Sequence, residues 1–100
     1  MTQFDIAEVT PNRYRLSGEL DMDSAPALER AFPVGCDSLI LDLEDLSFID
    51  STGLHALVKL AARLDGATPL VLDNVPAAVQ RVLDIVGIES LPRIEVRHDA

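Results

Sequence analysis

The apolar positions near the start of the chain alternate with polar ones in two short segments. Phe4 and Ile6 precede a turn signal at residues 10–12 (TPN), and Tyr14 and Leu16 follow it. A period of two is typical of strands with one buried face, so this stretch predicts a β-hairpin.

Capping residues mark a short first helix. Asp23 or Ser24 can cap it, and Pro26 lies in the first turn, where its missing N–H costs no hydrogen bond. The break at residues 33–35 (PVG) ends it. Residues 39–43 (LILDL) then form a nearly unbroken apolar run, which predicts a central strand covered on both faces.

The clearest helix follows a further apolar piece, Leu46 to Ile49. It is predicted from about Ser51 to Asp65, with Gly66 as its stop. Apolar residues recur along its inner face at steps of three and four: Leu54, Leu57, Val58, Ala61 and Leu64. Residues 70–72 (LVL) read as a buried strand, so this strand, the helix and the strand before it predict a parallel, right-handed crossover.

The pattern then repeats once. Residues 74–76 can open a third helix, which Gly87 ends, and Ile94 with Val96 forms a last short strand. The inner face of this helix consists of Val79, Val82, Leu83 and Val86. The whole chain, residues 1–100, is therefore predicted to be one α/β domain, with a mixed sheet of four or five strands and three helices covering at least one face.

Composition and charge narrow the function. With 100 residues and 48% apolar content the chain can bury one core. A net charge of −9 disfavours nucleic acid, anionic membranes and tight self-association, so a monomer or weak dimer is expected. Cys36 is the only cysteine, which excludes an internal disulfide and favours a reducing, cytoplasmic setting. No membrane-span, cofactor or metal-site pattern is present, so we expect no cofactor.

The segment Asp50-Ser51-Thr52-Gly53 stands where the strongest helix begins. Free backbone N–H groups and the helix dipole favour an anion there by about 0.3–1 kcal/mol, so a phosphate on Ser51 would be tolerated. Glycine inside a helix costs roughly 1 kcal/mol against alanine, which suggests that a partner approaches the backbone at Gly53. From spacing alone, however, Asp50 and Ser51 fit a plain helix cap.

Three segments in register resemble the anti-sigma factor antagonists of the STAS domain family: residues 18–21 (GELD), residues 41–54 (LDLEDLSFIDSTGL) and residues 81–88 (RVLDIVGI). The resemblance implies that Ser51 is phosphorylated by a partner kinase that is itself the anti-sigma factor. It further implies that the unphosphorylated form binds this partner and frees the sigma factor, that phosphorylation releases the partner, and that a serine phosphatase resets the cycle.

The same resemblance implies a partner-binding surface, in which Asp21 helps to dock the kinase. Relatives usually carry a second glycine where this chain has His55, four residues after Ser51, and Lys59 and Arg63 extend the same helical stripe. We hypothesise that His55 meets the phosphate, although a solvated polar face explains this stripe as well. The predicted surface consists of Asp21, Asp50, Ser51, Thr52, Gly53 and His55.

Two other functions compete with this one. A hydrolase would use Ser51 as nucleophile, His55 as base and Asp50 to orient it, but adjacent Asp and Ser side chains diverge and the serine and histidine share one helix. The chain is therefore not expected to be an enzyme. The stronger alternative is a non-switching STAS module of a transporter or lipid-handling complex.

Overall fold

The computed structural model describes residues 3–32, 38–64, 69–87 and 93–97. Five strands and three helices follow one another in the predicted order. They are β1 (Asp5–Thr10), β2 (Arg13–Leu20), α1 (Ala25–Ala31), β3 (Leu39–Ile49), α2 (Ser51–Arg63), β4 (Leu70–Asp73), α3 (Ala77–Val86) and β5 (Ile94–Val96). The predicted helix stops at residues 33–35 and at Gly66, together with Cys36, lie outside the described residues.

The strands form one sheet in the order β1-β2-β3-β4-β5. The predicted hairpin pairs β1 antiparallel to β2, and β2, β3, β4 and β5 run parallel to their neighbours. Because β3 and β4 are parallel, α2 has to carry the chain back between them, as the crossover prediction requires. The predicted α/β class with a mixed sheet is confirmed.

The core lies between the sheet and the helices. Leu41 and Leu43 of β3 and Leu72 of β4 are completely buried there, together with Leu57 of α2 and Leu83 of α3. Their alternation along β3 and their helical spacing along α2 explain why these segments fold as strand and helix. Among the described residues, no helix is long and apolar enough to cross a membrane.

The opposite face of β3 is covered by charged side chains at Asp42. Asp42 is only 2% exposed, yet arginine side chains rather than a second apolar layer cover it. Arg13 contacts Asp42 at 3.1 Å and Asp73 at 2.8 Å, while Arg15 approaches Asp42 at 3.7 Å. The strand is thus covered on this face too, as predicted, but at Asp42 the cover consists of charged side chains. The partners come from three strands, 29 and 60 residues apart, so local patterning does not reveal them.

The electrostatic balance keeps Asp42 charged. Burial acts to raise the pKa of its carboxyl group, but hydrogen bonds from the Glu44 backbone and the Asn74 side chain and the charge of Arg13 outweigh it. The pKa of Asp42 is therefore below its usual value.

A register shift shapes the far end of β3. The two apolar pieces of the sequence form one strand of 11 residues, in which Leu46 pairs with Gly18 and Phe48 with Glu19. Ser47 is left between the two pairs, and its hydroxyl donates to the Gly18 carbonyl oxygen at 3.0 Å. The extra residue lets both Leu46 and Ile49 face the core and leaves Phe48 47% exposed.

Both edges of the sheet depart from long, regular strands. On one edge, the register of β1 shifts between Glu8 and Thr10, which leaves Val9 between the two pairs. On the other edge, β5 is only three residues long.

Two arginines hold the C-terminal ends of helices. Arg63 of α2 donates to the carbonyl oxygens of Glu29 and Phe32, at 3.2 and 2.8 Å, where α1 ends. Arg93, just before β5, donates to Ala61 at 3.0 Å and to Leu64, at the end of α2. These side chains bind carbonyl groups at the two helix ends, where such groups lack full intrahelical hydrogen bonding; the Ala61 carbonyl also accepts from the Leu64 N–H at 3.3 Å.

Candidate functional site

The predicted site residues gather at the C-terminal ends of β2 and β3. Leu20 pairs with Ile49, and the Asp50 N–H donates to the Leu20 carbonyl oxygen at 3.2 Å. This contact brings the turn after β2, which begins at Asp21, beside the start of α2. Asp21 and Ser51 therefore lie at the same end of the sheet, as the resemblance implied.

Ser51 is the first residue of α2, and it is exposed. Asp50 is the N-cap: its carboxylate accepts from the Gly53 N–H at 2.9 Å, and its carbonyl accepts from the Leu54 N–H at 2.9 Å. The capping interpretation of Asp50 is thus confirmed. Ser51 is therefore an exposed residue on a capped helix turn.

Gly53 has an internal reason to be glycine. It is buried, and a Cβ atom built at this position would lie 2.3 Å from the Leu20 carbonyl oxygen and 2.8 Å from its side chain. The idea that a partner's approach explains this glycine is therefore wrong, because the close approach is that of β2. A direct contact between a partner and Gly53 stays a prediction.

Asp21 organises the turn that leads into α1. Its carboxylate accepts from the N–H groups of Asp23 and Ser24, at 3.0 and 3.1 Å. In return the Asp21 N–H donates to the Ser24 hydroxyl at 2.9 Å, and that hydroxyl donates to the Glu19 carbonyl at 2.7 Å. Ser24 is the N-cap of α1 as predicted, although its side chain makes no capping hydrogen bond. These contacts give Asp21 a structural role, and its role in docking stays a prediction.

The basic side chains along one face of α2 have different surroundings: some face solvent and others bind α1. His55 and Thr52 are exposed, but Lys59 pairs with Glu29 at 2.9 Å and Arg63 binds the α1 backbone. The Lys59 ammonium group lowers the pKa of Glu29, outweighing a small opposite effect of burial, with smaller help from Arg63 and His55. Lys59 and Arg63 are thus engaged by α1, which leaves His55 as the stripe's free polar group beside Ser51.

The hydrolase geometry is not formed. The Asp50 carboxylate binds the Gly53 N–H, and no hydrogen bond joins the side chains of Asp50, Ser51 and His55 in the described part of the chain. A nucleophile needs a base within about 2.6–3.2 Å.

Two apolar side chains near the C-terminal ends of β2 and β3 are exposed, which the sequence pattern does not predict. Met22 is 70% exposed in the turn after Asp21, and Phe48 is 47% exposed before Asp50. Phe48 had been counted as part of an apolar piece, because strict alternation puts it on the same face as Leu46. Only the register shift at Ser47, which is a property of strand pairing, turns it outward.

The family follows from comparison with known proteins. The model of the STAS domain family matches residues 6–100. The chain belongs to the STAS domain family. The anti-sigma-B factor antagonist of Bacillus subtilis (strain 168) is 34% identical to this STAS protein over 91 residues, covering 84% of the chain and 81% of the relative.

Solved structures agree with this STAS fold. An anti-sigma factor antagonist from Mycobacterium paratuberculosis superimposes with a TM-score of 0.70 at 25% identity, covering 94% of this chain and 85% of the other. The unphosphorylated form of the anti-sigma factor antagonist SpoIIAA gives a TM-score of 0.60 at 20% identity, with 94% of this chain and 87% of the other covered.

Proposed function

We propose that this STAS protein is an anti-sigma factor antagonist, which binds a kinase-type anti-sigma factor through the surface around Ser51 and releases it when Ser51 is phosphorylated. The observation that carries the proposal is the exposed Ser51 hydroxyl on the first turn of α2. The likeness to the anti-sigma-B factor antagonist supports the choice of partner.

The charges around Ser51 support the sign of the switch. Phosphorylation adds about −1.5 to −2 charges. The Asp50 carboxylate adjoins the site, and Lys59 and Arg63 already bind α1. Among the basic side chains of α2 that the structure describes, this leaves His55 to compensate the phosphate, in addition to the modest effect of the helix N-terminus.

A partner pressed onto this surface would therefore have to desolvate an incompletely neutralised phosphate, at a cost of several kcal/mol. Since about 1.4 kcal/mol is a tenfold change in affinity, such a cost is enough to dissociate a micromolar or nanomolar complex. The switch needs no change of fold, because the Asp50 cap already holds Ser51 on an exposed helix turn. A serine phosphatase that restores the hydroxyl, and action in the cytoplasm, belong to the same proposal.

Two variants of Ser51 test the proposal against purified anti-sigma factor from the same organism. Ser51→Ala should bind whether or not ATP is present, while Ser51→Asp should bind at least tenfold more weakly than the unmodified protein. Incubation of the wild type with the partner and ATP should add one phosphate, which mass spectrometry should map to Ser51. Equal binding by both variants would instead indicate a non-switching STAS module.

Thr52→Ala is the matched control, because Thr52 is the neighbouring exposed hydroxyl on the same helix turn. It should still be phosphorylated at Ser51. Loss of the added phosphate in Thr52→Ala, with its retention in Ser51→Ala, would contradict the assignment of the site.

A further inference from the structure

Exposed apolar side chains are unevenly distributed over the molecule. Five large ones are exposed among the described residues. Met22 lies in the turn after β2 and Phe48 near the C-terminal end of β3, at the end of the sheet where α2 begins. The other three are Val9, Ile85 and Val86.

These three lie at the far end of the sheet. Val9 adjoins Thr10, which pairs with the first residue of β2. Ile85 and Val86 end α3, which runs back from the C-terminal end of β4 toward the start of β5. They therefore provide matched positions for comparison with Met22 and Phe48.

The backbone presents Met22 and Phe48 to solvent by specific contacts. The Asp21 carboxylate accepts from the N–H groups of Asp23 and Ser24 and so closes the turn that carries Met22. The register shift at Ser47 turns Phe48 outward from a regular strand. Both side chains are thus exposed on well-bonded backbone, which lowers the entropy that a partner has to remove on binding.

The charge of the surface next to Met22 indicates which charge a partner should carry. A groove of about 460 Å³ next to the Met22 turn has Phe4 and Ala27 in its lining, and its ionisable side chains are the carboxylates of Glu19, Asp21 and Asp23. Glu19, which lines this groove, is also the residue that pairs with Phe48 in the sheet. Aromatic side chains and methionine are enriched at the cores of interfaces, whereas charged groups belong to their rims. A partner that complements this surface therefore needs an apolar pocket with a basic rim.

We propose that Met22 and Phe48 are the apolar anchors of the partner-binding surface, and that the anti-sigma factor receives them in an apolar pocket bordered by lysine or arginine side chains. This inference rests on the proposed function. It adds the chemistry by which the partner recognises the unphosphorylated form.

Calorimetric titration of the full, unphosphorylated chain with purified anti-sigma factor tests the anchors. Met22→Ala and Phe48→Ala should each weaken binding tenfold or more. Val9→Ala and Ile85→Ala are the controls, because Val9 is 47% exposed like Phe48 and Ile85 is 83% exposed. Both lie at the far end of the sheet, so their affinities should stay within twofold of the wild type. Phe48→Leu, which keeps an apolar side chain, should lose less affinity than Phe48→Ala and covers the case that the alanine variant misfolds.

The outcomes separate this inference from the function on which it rests. Affinities of Met22→Ala and Phe48→Ala equal to those of the controls would overturn the anchors, while Ser51→Asp could still abolish binding and uphold the switch. An affinity that does not change between 50 and 500 mM NaCl would overturn the basic rim. If neither the wild type nor Ser51→Ala binds the anti-sigma factor, both the function and the anchors are refuted.

Discussion

The backbone of Gly53 packs directly on the carbonyl group of Leu20, so that a methyl group added at Gly53 would lie 2.3 Å from the carbonyl oxygen. Two backbone segments meet there, and neither can rotate away as a flexible side chain could. The contact holds the first turn of α2, and with it Ser51, in a fixed position against the end of β2.

This contact reverses the usual effect of replacing a helical glycine. Helix propensity alone predicts that Gly53→Ala stabilises the protein by about 1 kcal/mol. The clash with Leu20 predicts instead a loss of about 1–3 kcal/mol. Urea unfolding decides between the two signs, and a higher midpoint in the variant would contradict the packing described above.

Asp42 should make stability depend on pH. Its pKa in the folded protein is lowered, so its ionised form stabilises the fold above the unfolded value, and this contribution disappears as the pH falls through the folded pKa. Asp42→Asn leaves Arg13 without one of its charged partners and should cost on the order of 3 kcal/mol at pH 7.

Thermal unfolding between pH 7 and about pH 3 should show the gap between wild type and Asp42→Asn closing as the pH falls. Asp45→Asn is the control, because Asp45 is exposed and lies 3.9 Å from Arg15. It should change stability by less than about 0.5 kcal/mol. A constant gap across this pH range would argue against an ionised Asp42.

Arg93 should stabilise the end of α2. Its guanidinium group donates to the carbonyl oxygens of Ala61 and Leu64, and hydrogen bonds from a charged donor contribute about 1.5–3 kcal/mol. We expect Arg93→Ala to lose about 2 kcal/mol and to speed amide exchange in the last turn of α2. Arg97→Ala, which removes an exposed arginine paired with Glu95, should leave that exchange unchanged.

His55 provides a test of how the phosphate is received. It follows Ser51 by one helical turn, is exposed, and interacts electrostatically with Glu29 on α1. If the phosphate contacts it, the ring proton resonances of His55 should shift on phosphorylation at constant pH, whereas those of His98 serve as the internal reference. Unchanged ring resonances of His55 would contradict this contact.

The order and type of the elements could be predicted because each depends on local pattern. The helical spacing of Leu54 and Leu57 and the cap at Asp50 identify α2 almost to the residue. The ion cluster of Arg13, Asp42 and Asp73 could not be predicted in this way, because its members meet only once β2, β3 and β4 are side by side.

At the candidate site the position of Ser51 was predictable and its surroundings were not. The helix start is a local signal, whereas the engagement of Lys59 and Arg63 by α1 depends on how two helices pack. The exposure of Phe48 depends on the register shifts in the pairing of β3 with β2. Sequence pattern alone thus places Ser51 at the start of α2, but it does not reveal which side chains surround Ser51.

The interrupted register at Val9 has a consequence for assembly. A straight outer strand offers a row of free N–H and carbonyl groups to which the strand of a second molecule can add. In this protein the kink at Val9 breaks that row on one side, and the three residues of β5 offer too short a row on the other. We therefore expect copies of the chain not to join edge to edge into a continuous sheet, even at high concentration.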